Sequence, residues 1–358
     1  MGHALLLIDD DESFREVMRF HLSEEGYEID VASDGREGLR LFQEKLHPVV
    51  VTDLKMPKMD GLTVLKEISK RSPAAAVIVI TAFGDIDTAV RAMKAGKNVI
   101  TEKPMGVRSK DCHELIEMAS DRGLVYQVGY MKRHEHGVLM ARRMIEELLQ
   151  SGRLGAITMA RAWCFAGEWK FGVEDPIMTD EAAPEGVSEA RPFPDWIPED
   201  LHGLYNRVLN VDSHGTNLVR FLLGEDYEFE QAAFRDMSRP IVLQGWSESG
   251  ANCVFELGNL PAPRWHEGVE LFFEGGTLLV EPPSPLRRQS AARVVLREMG
   301  EDPRTIEPEA APGWAFAAQA RHFLASVRGE EPPTSPASDA VRDVELAEQT
   351  VRLVVEHG

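Results

Sequence analysis

Acidic, hydroxyl and basic residues in the first third of the sequence fall in an order that suits phosphoryl chemistry. One apolar run ends in Asp9-Asp10-Asp11, another in Asp53, a third in Thr81 and a fourth in Lys103. Asp9, Asp10 and Asp53 converging in one crevice would repel one another and call for a divalent cation. Oxygen ligands with room for water suit Mg²⁺. Beside that ion Asp53 would be a nucleophile toward a phosphoryl group, with the Thr81 hydroxyl and Lys103 holding its oxygens. Taken singly, Asp53 could instead cap a helix, and Asp9 to Glu12 could be a solvated acidic turn. The whole set, each member at a strand end, favours the site.

Such a site needs a parallel sheet beneath it. Short β-branched runs at Ala4–Asp9, Glu28–Ser33, Pro48–Asp53, Ala75–Thr81 and Asn98–Lys103 alternate with amphipathic stretches such as Phe14–Glu25 and Asp87–Ala95. Continuous apolar strands separated by helices predict a parallel sheet covered on both faces. In these sheets ligands sit beyond the carboxyl ends of the strands.

The segments LLLIDDDESFR, VVVTDLKMPKMDGL, VIVITAFGD and AVRAMKAG make residues 1 to about 96 resemble a response-regulator receiver domain of the nitrogen-regulator type. The resemblance implies that Asp53 is the phosphoacceptor and that Asp10, Asp53 and the Lys55 carbonyl bind Mg²⁺. It further implies that Asp9 acts through water, that Thr81 is the switch hydroxyl and that Lys103 binds the phosphoryl group. A histidine kinase or a small phosphodonor would be the partner. One departure stands out: Ile100 occupies the position, three before the lysine, where the family usually has an aromatic residue.

The chain then changes character without losing its α/β rhythm. Ser109 caps a helix that Gly123 ends, and Leu124–Tyr130 reads as a sixth strand. A helix near Val138–Leu149 follows, then strand-like runs at Ile157–Phe165, Glu228–Phe234, Ala251–Leu257, Val269–Phe273 and Thr277–Val280, and a helical region from Trp314 to Val355. Successive strands without regular helices predict a mostly antiparallel sheet in an α+β domain. AGKNVITEKPMG, GLVYQVGYMKR, SGRLGAI, SHGTNLVRFLLGE, ELFFEGGTLLVE and QARHFLASVRGEEPP make residues from about 94 to 358 resemble the Gfo/Idh/MocA oxidoreductases, NAD(P)-dependent dehydrogenases of sugars and polyols. That resemblance implies that Lys103 contacts the reacting hydroxyl and that His214 is the acid/base. Asn210 stands where the family commonly has Asp, and Asp212 is displaced by two. Without the resemblance, His214 shares a helical face with Leu218 and Phe221 and reads as a core histidine. Met131, Lys132 and Arg133 could reach a substrate, with no sequence signal to say which.

The dinucleotide fingerprint is missing. No Gly-x-Gly-x-x-Gly follows any expected strand, and the first strand ends in three aspartates that would repel a pyrophosphate. NAD(P) binding is therefore not expected. Lys103-Pro104 belongs to both families, and the bond is expected to be cis. Joining the two patterns there gives a flavodoxin-like or Rossmann-like three-layer sheet of strand order 2-1-3-4-5-6. The expected domains are residues 1–128 (receiver-like to about 96) and 129–358. The chain thus reads as an engineered or recombined chimera that keeps receiver chemistry. The alternatives are an oxidoreductase with an altered cofactor site, or a fold scaffold without activity.

Composition narrows the remaining classes. With 39 basic and 59 acidic residues the net charge is −20, which argues against nucleic acid or an anionic membrane as a partner of the whole surface. The excess is uneven: residues 1–104 hold 18 acids and 14 bases, and residues 172–200 hold nine acids against Arg191, among prolines, as an expected surface loop. Three scattered cysteines suit a reduced cytoplasm rather than a disulfide framework. No apolar run is long enough for a membrane span, and the start does not read as a signal peptide. Self-association through the sheet of the second domain is expected from the second resemblance.

Overall fold

The computed structural model describes residues 4–80, 86–165, 193–259 and 265–357. The chain forms two compact units, Met1–Lys97 and Asn98–Gly358.

In the first unit β1 (Ala4–Ile8), β2 (Glu28–Ala32), β3 (Val49–Asp53) and β4 (Ala76–Ile80) form a parallel sheet in the order β2-β1-β3-β4. Alternation of side chains along each strand sends Leu6, Ile8 and Val50 to one face and Leu5, Leu7 and Val51 to the other. The first set packs with Phe42 of α2 (Gly35–Lys45) and with Val64 and Ile68 of α3 (Gly61–Arg71). The second packs with Phe14, Met18 and Leu22 of α1 (Glu12–Glu24). The result is the expected three-layer arrangement, completed in sequence by α4 (Ile86–Lys94).

Aspartates start three of these helices. Asp11, Asp34 and Asp60 have extended backbones, and each carboxylate accepts N–H groups of the following first turn. Orphan amide donors are satisfied and the negative charge sits at the positive helix end.

The second unit begins with β5 (Val99–Glu102), α5 (Ser109–Asp121) and β6 (Tyr126–Gly129), with β5 and β6 paired in parallel. Within the first unit the order β2-β1-β3-β4 is the expected one, and within the second β5 and β6 pair as expected. The change of unit at Lys97/Asn98 falls between β4 and β5. The Lys103-Pro104 bond is cis, as expected.

A short 3₁₀ turn (Met131–His134) leads into α6 (His136–Ser151) and β7 (Ile157–Cys164). Then α7 (His202–Arg207), one wide π turn (Val208–Asp212) and α8 (Ser213–Leu223) run on without a break until Gly224, whose φ of 78° ends the helix. The strands β8 (Tyr227–Ala233), β9 (Ile241–Ser247), β10 (Asn252–Leu257), β11 (Glu267–Phe273), β12 (Gly276–Glu281), β13 (Arg293–Glu298) and β14 (Arg304–Ile306) complete an eight-stranded sheet. Its order is β14-β13-β12-β11-β7-β10-β9-β8. It is mostly antiparallel, as expected, with β7 and β10 paired in parallel. Strands β9, β13 and β14 add to the strands expected from the sequence. Two helices, α9 (Ala315–Val327) and α10 (Ala337–His357), replace the single helical region expected at the end. Most of the acidic proline-rich stretch lies outside the described residues. Among those described, no helix is long and apolar enough to cross a membrane.

Candidate functional site

Parallel pairing of β1 with β3 brings their carboxyl ends side by side, Ile8 opposite Thr52. The acids that follow are therefore neighbours in space. Asp9 is buried, Asp10 is exposed and Asp53 is half-buried. An Asp9 carboxylate oxygen accepts the Asp11 N–H at 2.9 Å, and its main-chain carbonyl accepts from the Arg15 guanidinium at 2.6 Å. Asp53 accepts the Lys55 N–H at 3.1 Å, which folds the chain back over the strand end.

Burial raises the pKa of both Asp9 and Asp53 above the ordinary carboxylate value. Backbone N–H groups partly offset this. Repulsion adds to it, from Asp53, Asp10 and Asp11 at Asp9, and from Asp10 at Asp53. Hard oxygen donors that repel one another are the donor set a magnesium ion relieves. Among the described residues, no three His, Cys, Asp or Glu side chains are grouped closely enough to hold a metal. A cation here would need main-chain oxygen or water as well as carboxylate, which matches a ligand set that includes the Lys55 carbonyl.

The loop from β3 to α3 is pinned at several points. Lys58, in the left-handed region at φ 69°, reaches Asp34 at 2.5 Å. Asp60 caps α3 and also pairs with Arg91 of α4. Gly61 lies so close to β3 that a Cβ there would stand 2.2 Å from the Asp53 carbonyl oxygen. Asp11 is a helix cap, accepting the Phe14 N–H at 2.9 Å. Thr81 lies outside the described residues.

A second group of site residues assembles in the second unit. Lys103 donates to the main-chain carbonyl of Asn210. That acceptor is in the wide π turn, and π turns often mark functional sites. The Asn210 side chain, expected to face the site, instead donates to Asn206 at 3.0 and 2.9 Å, so Asn210 contributes its backbone. Asp212 is fully buried and paired with Arg207 at 3.2 Å; burial, partly offset by that arginine, pushes its carboxyl up to about 6.

His214 follows at the start of α8. Its Nδ1 is buried without a hydrogen-bond partner, and the Tyr130 ring meets it edge-on at 6.3 Å. Burial lowers its pKa well below the ordinary value, and the ammonium groups of Lys132 and Lys103 add to the shift. Burial also lowers the Lys103 pKa, against the raising effect of Glu102, and Lys132 lowers it further. The neutral imidazole and the two lysines thus share one electrostatic neighbourhood.

The structure distinguishes among the residues after β6. Lys132 is buried and bound by both carboxylate oxygens of Glu267 on β11. Arg133 turns away to Asn217 at 2.6 Å and Asp339 at 2.7 Å. Sequence reasoning missed Glu267; its only signal was an acid heading a strand whose other members, Glu270 apart, are apolar.

The response regulator receiver domain model matches residues 5–116, through α4 and β5 and into α5. The transcriptional regulatory protein GlrR of Escherichia coli is 39 % identical over 101 residues, and ZraR of Salmonella typhimurium is 37 % identical over 101 residues. Each match covers 28 % of this chain and 23 % of the relative. The chain therefore spans less than a quarter of those proteins. Solved structures match over the whole length. Aldose-aldose oxidoreductase from Caulobacter crescentus aligns with 100 % of this chain and 99 % of its own, at a TM-score of 0.61 and 16 % identity. An inositol dehydrogenase homolog from Azotobacter vinelandii, solved with NAD⁺, covers 100 % and 96 % at 0.62 and 15 %. At such identities the likeness is one of fold. Residues 5–116 match the response regulator receiver domain model, and the chain along its length shares the fold of these oxidoreductase structures.

Proposed function

We propose that this is a recombined chain whose first unit accepts a phosphoryl group on Asp53, and whose oxidoreductase-like remainder has lost its dinucleotide site. The observation that carries the reading is the pairing of β1 with β3, which sets Asp9 and Asp10 beside Asp53. Asp10, Asp53 and the Lys55 carbonyl would hold Mg²⁺, with Asp9 acting through water. When bound, that ion supplies charge neutralisation at the phosphoryl oxygens. The Asp53 carboxylate oxygen attacks phosphorus, the bond from phosphorus to the leaving oxygen breaks, and with acetyl phosphate as donor acetate departs. By the receiver resemblance the Thr81 hydroxyl would hold a phosphoryl oxygen. A histidine kinase would be the protein donor.

The case against a dinucleotide rests on the turn between β1 and α1. Pyrophosphate sites need a glycine turn and free N–H groups at a helix N-terminus. Here the turn is Asp9-Asp10-Asp11, and the Asp11 carboxylate already occupies the Phe14 N–H. A bound pyrophosphate would meet both a filled cap and three carboxylates.

Incubation with Mg²⁺ and acetyl phosphate is expected to give a labile acyl phosphate, read by intact mass, which Asp53→Asn abolishes. An adduct that survives Asp53→Asn sinks the assignment. NADH titration is expected to show no saturable binding at micromolar concentrations. A clear isotherm would favour the second reading, an oxidoreductase with an altered cofactor site, which the gathering of Lys103, Lys132 and His214 supports. Self-association through the eight-stranded sheet accompanies either reading: Met159, Trp163, Val254 and Phe272 alternate with the buried residues of their strands and are only half-buried.

A further inference from the structure

Lys58 stands in the loop from β3 to α3 with a backbone that suits glycine. Its φ is 69°, and the Met59 N–H donates back to the Pro57 carbonyl at 2.8 Å. A main-chain bond between residues two apart, around a positive φ, is the rare form of γ-turn and strains any residue with a Cβ. Strain held at one residue points to a use for its side chain. Here the ammonium crosses to another element and donates to Asp34 Oδ2 at 2.5 Å. Asp34 is a firm anchor: it is 9 % exposed, and its Oδ1 accepts the Arg36 and Glu37 N–H groups as the cap of α2. Glu37 in turn accepts the N–H and hydroxyl of Ser33, which ties the end of β2 to the start of α2.

The loop is also closed on itself. The Gly61 N–H donates to the Leu54 carbonyl at 3.0 Å, and the Leu54 N–H donates to the Ile80 carbonyl at the end of β4. Residues 54–61 therefore form a ring with a fixed base, tied to α2 through Lys58. Lys55 lies in that ring, with its N–H on the Asp53 carboxylate at 3.1 Å. We infer that Lys58 and Asp34 are positioning residues for magnesium: their ion pair holds the strained turn, and the held turn keeps the Lys55 main chain in one conformation for the ion. The inference rests on the phosphoacceptor reading and adds to it two residues that touch neither the ion nor the phosphoryl group. The Lys58 side chain is 60 % exposed, so the pair contributes little to folding. What it sets is the share of loop conformations able to bind. A ligand that needs one conformation binds more weakly in proportion as that conformation is depopulated.

The test is calorimetric titration of Mg²⁺ into the full chain at fixed ionic strength, with the site's isotherm identified by its loss in Asp10→Asn. Lys58→Met keeps the strained turn without the ammonium. Asp34→Asn keeps a good helix cap without the charge. Each is expected to weaken Mg²⁺ about three- to fivefold with the melting temperature nearly unchanged. Charge alone would act otherwise, because losing Lys58 would tighten a cation and losing Asp34 would weaken it. The double variant is expected to be no weaker than either single one, since both remove the same contact. Lys58→Arg is expected to restore parent affinity. Lys58→Gly relieves the strain as well, so it is expected to melt at or above the parent temperature while binding Mg²⁺ as weakly as Lys58→Met. Unchanged or tighter binding in Lys58→Met or Lys58→Gly would overturn the inference, and so would losses that simply add in the double variant. A parent chain with no isotherm that Asp10→Asn removes, and no adduct with acetyl phosphate, would take down the phosphoacceptor reading and this inference together. A parent isotherm that the Lys58 variants leave unmoved would take down this inference alone.

Discussion

His134 shows how much a single buried ring can weigh. It is 3 % exposed, its Nε2 has no partner, and the His322 ring lies 4.9 Å away. Burial, with help from His322 and Arg133, lowers its pKa from 6.5 to about 3. The native chain therefore refuses a proton that the unfolded chain accepts below 6.5. Stability is lost as pH falls through the window from 6.5 to about 3, at about 1.4 kcal/mol per pH unit. His134→Phe keeps the ring and removes the titration. Thermal melts from neutral pH downward are expected to show a shallower loss in the variant; parallel curves would show that His134 does not set the slope. None of this was legible in the sequence, where His134 is one polar residue among several in a basic run.

At the scale of elements, the β3–α3 loop shows what spacing can and cannot reveal. The pattern from Asp53 to Gly61 was readable, because a carboxylate at a strand end followed by Pro, Asp and Gly has few structural uses. What the pattern could not show is how tightly the loop closes. With its Cβ 2.2 Å from the Asp53 carbonyl oxygen, Gly61→Ala must push α3 off β3. Overpacking of this kind costs about 1–3 kcal/mol. The same displacement would move the Lys55 carbonyl relative to Asp53. Phosphorylation by acetyl phosphate is therefore expected to slow along with the fall in melting temperature. Normal phosphorylation in a destabilised variant would separate loop closure from the site. The helix caps Asp11, Asp34 and Asp60 were open to sequence reasoning, yet Asp11 stands in a run with Asp9 and Asp10, which are read as site residues. Only its bond to the Phe14 N–H decides between cap and ligand.

At the scale of the whole molecule, a buried ionic network ties the elements of the second unit together. Arg220 on α8 pairs with Asp226 at 2.5 Å, Asp339 at 2.6 Å and Asp343 at 3.4 Å. Arg133, from the turn after β6, joins at Asp339. Asp343 is 2 % exposed, and its pKa is raised by burial despite both arginines. Removing one partner of such a network strands the others. Arg220→Met is expected to destabilise the second unit by about 3–5 kcal/mol, read from urea unfolding followed by tryptophan fluorescence. All six tryptophans lie beyond residue 97, so the signal belongs to that unit. A loss under about 1 kcal/mol would place the pair energetically with exposed salt bridges.

The receiver resemblance supplied the strand order 2-1-3-4; the sequence by itself determined the layered α/β start, the mostly antiparallel second sheet and the residues at the ends of β1 and β3. These follow from local periodicity and from residues whose chemistry restricts their use. The tertiary structure alone decided that Asn210 offers its backbone rather than its amide, and that Lys132 belongs to Glu267 and Arg133 to α10. Partners such as Lys132 and Glu267 are 135 residues apart in sequence, and local pattern carries no information about which distant charge will meet which. Burial then fixes their protonation states, because desolvation depends on surroundings that only the folded chain supplies.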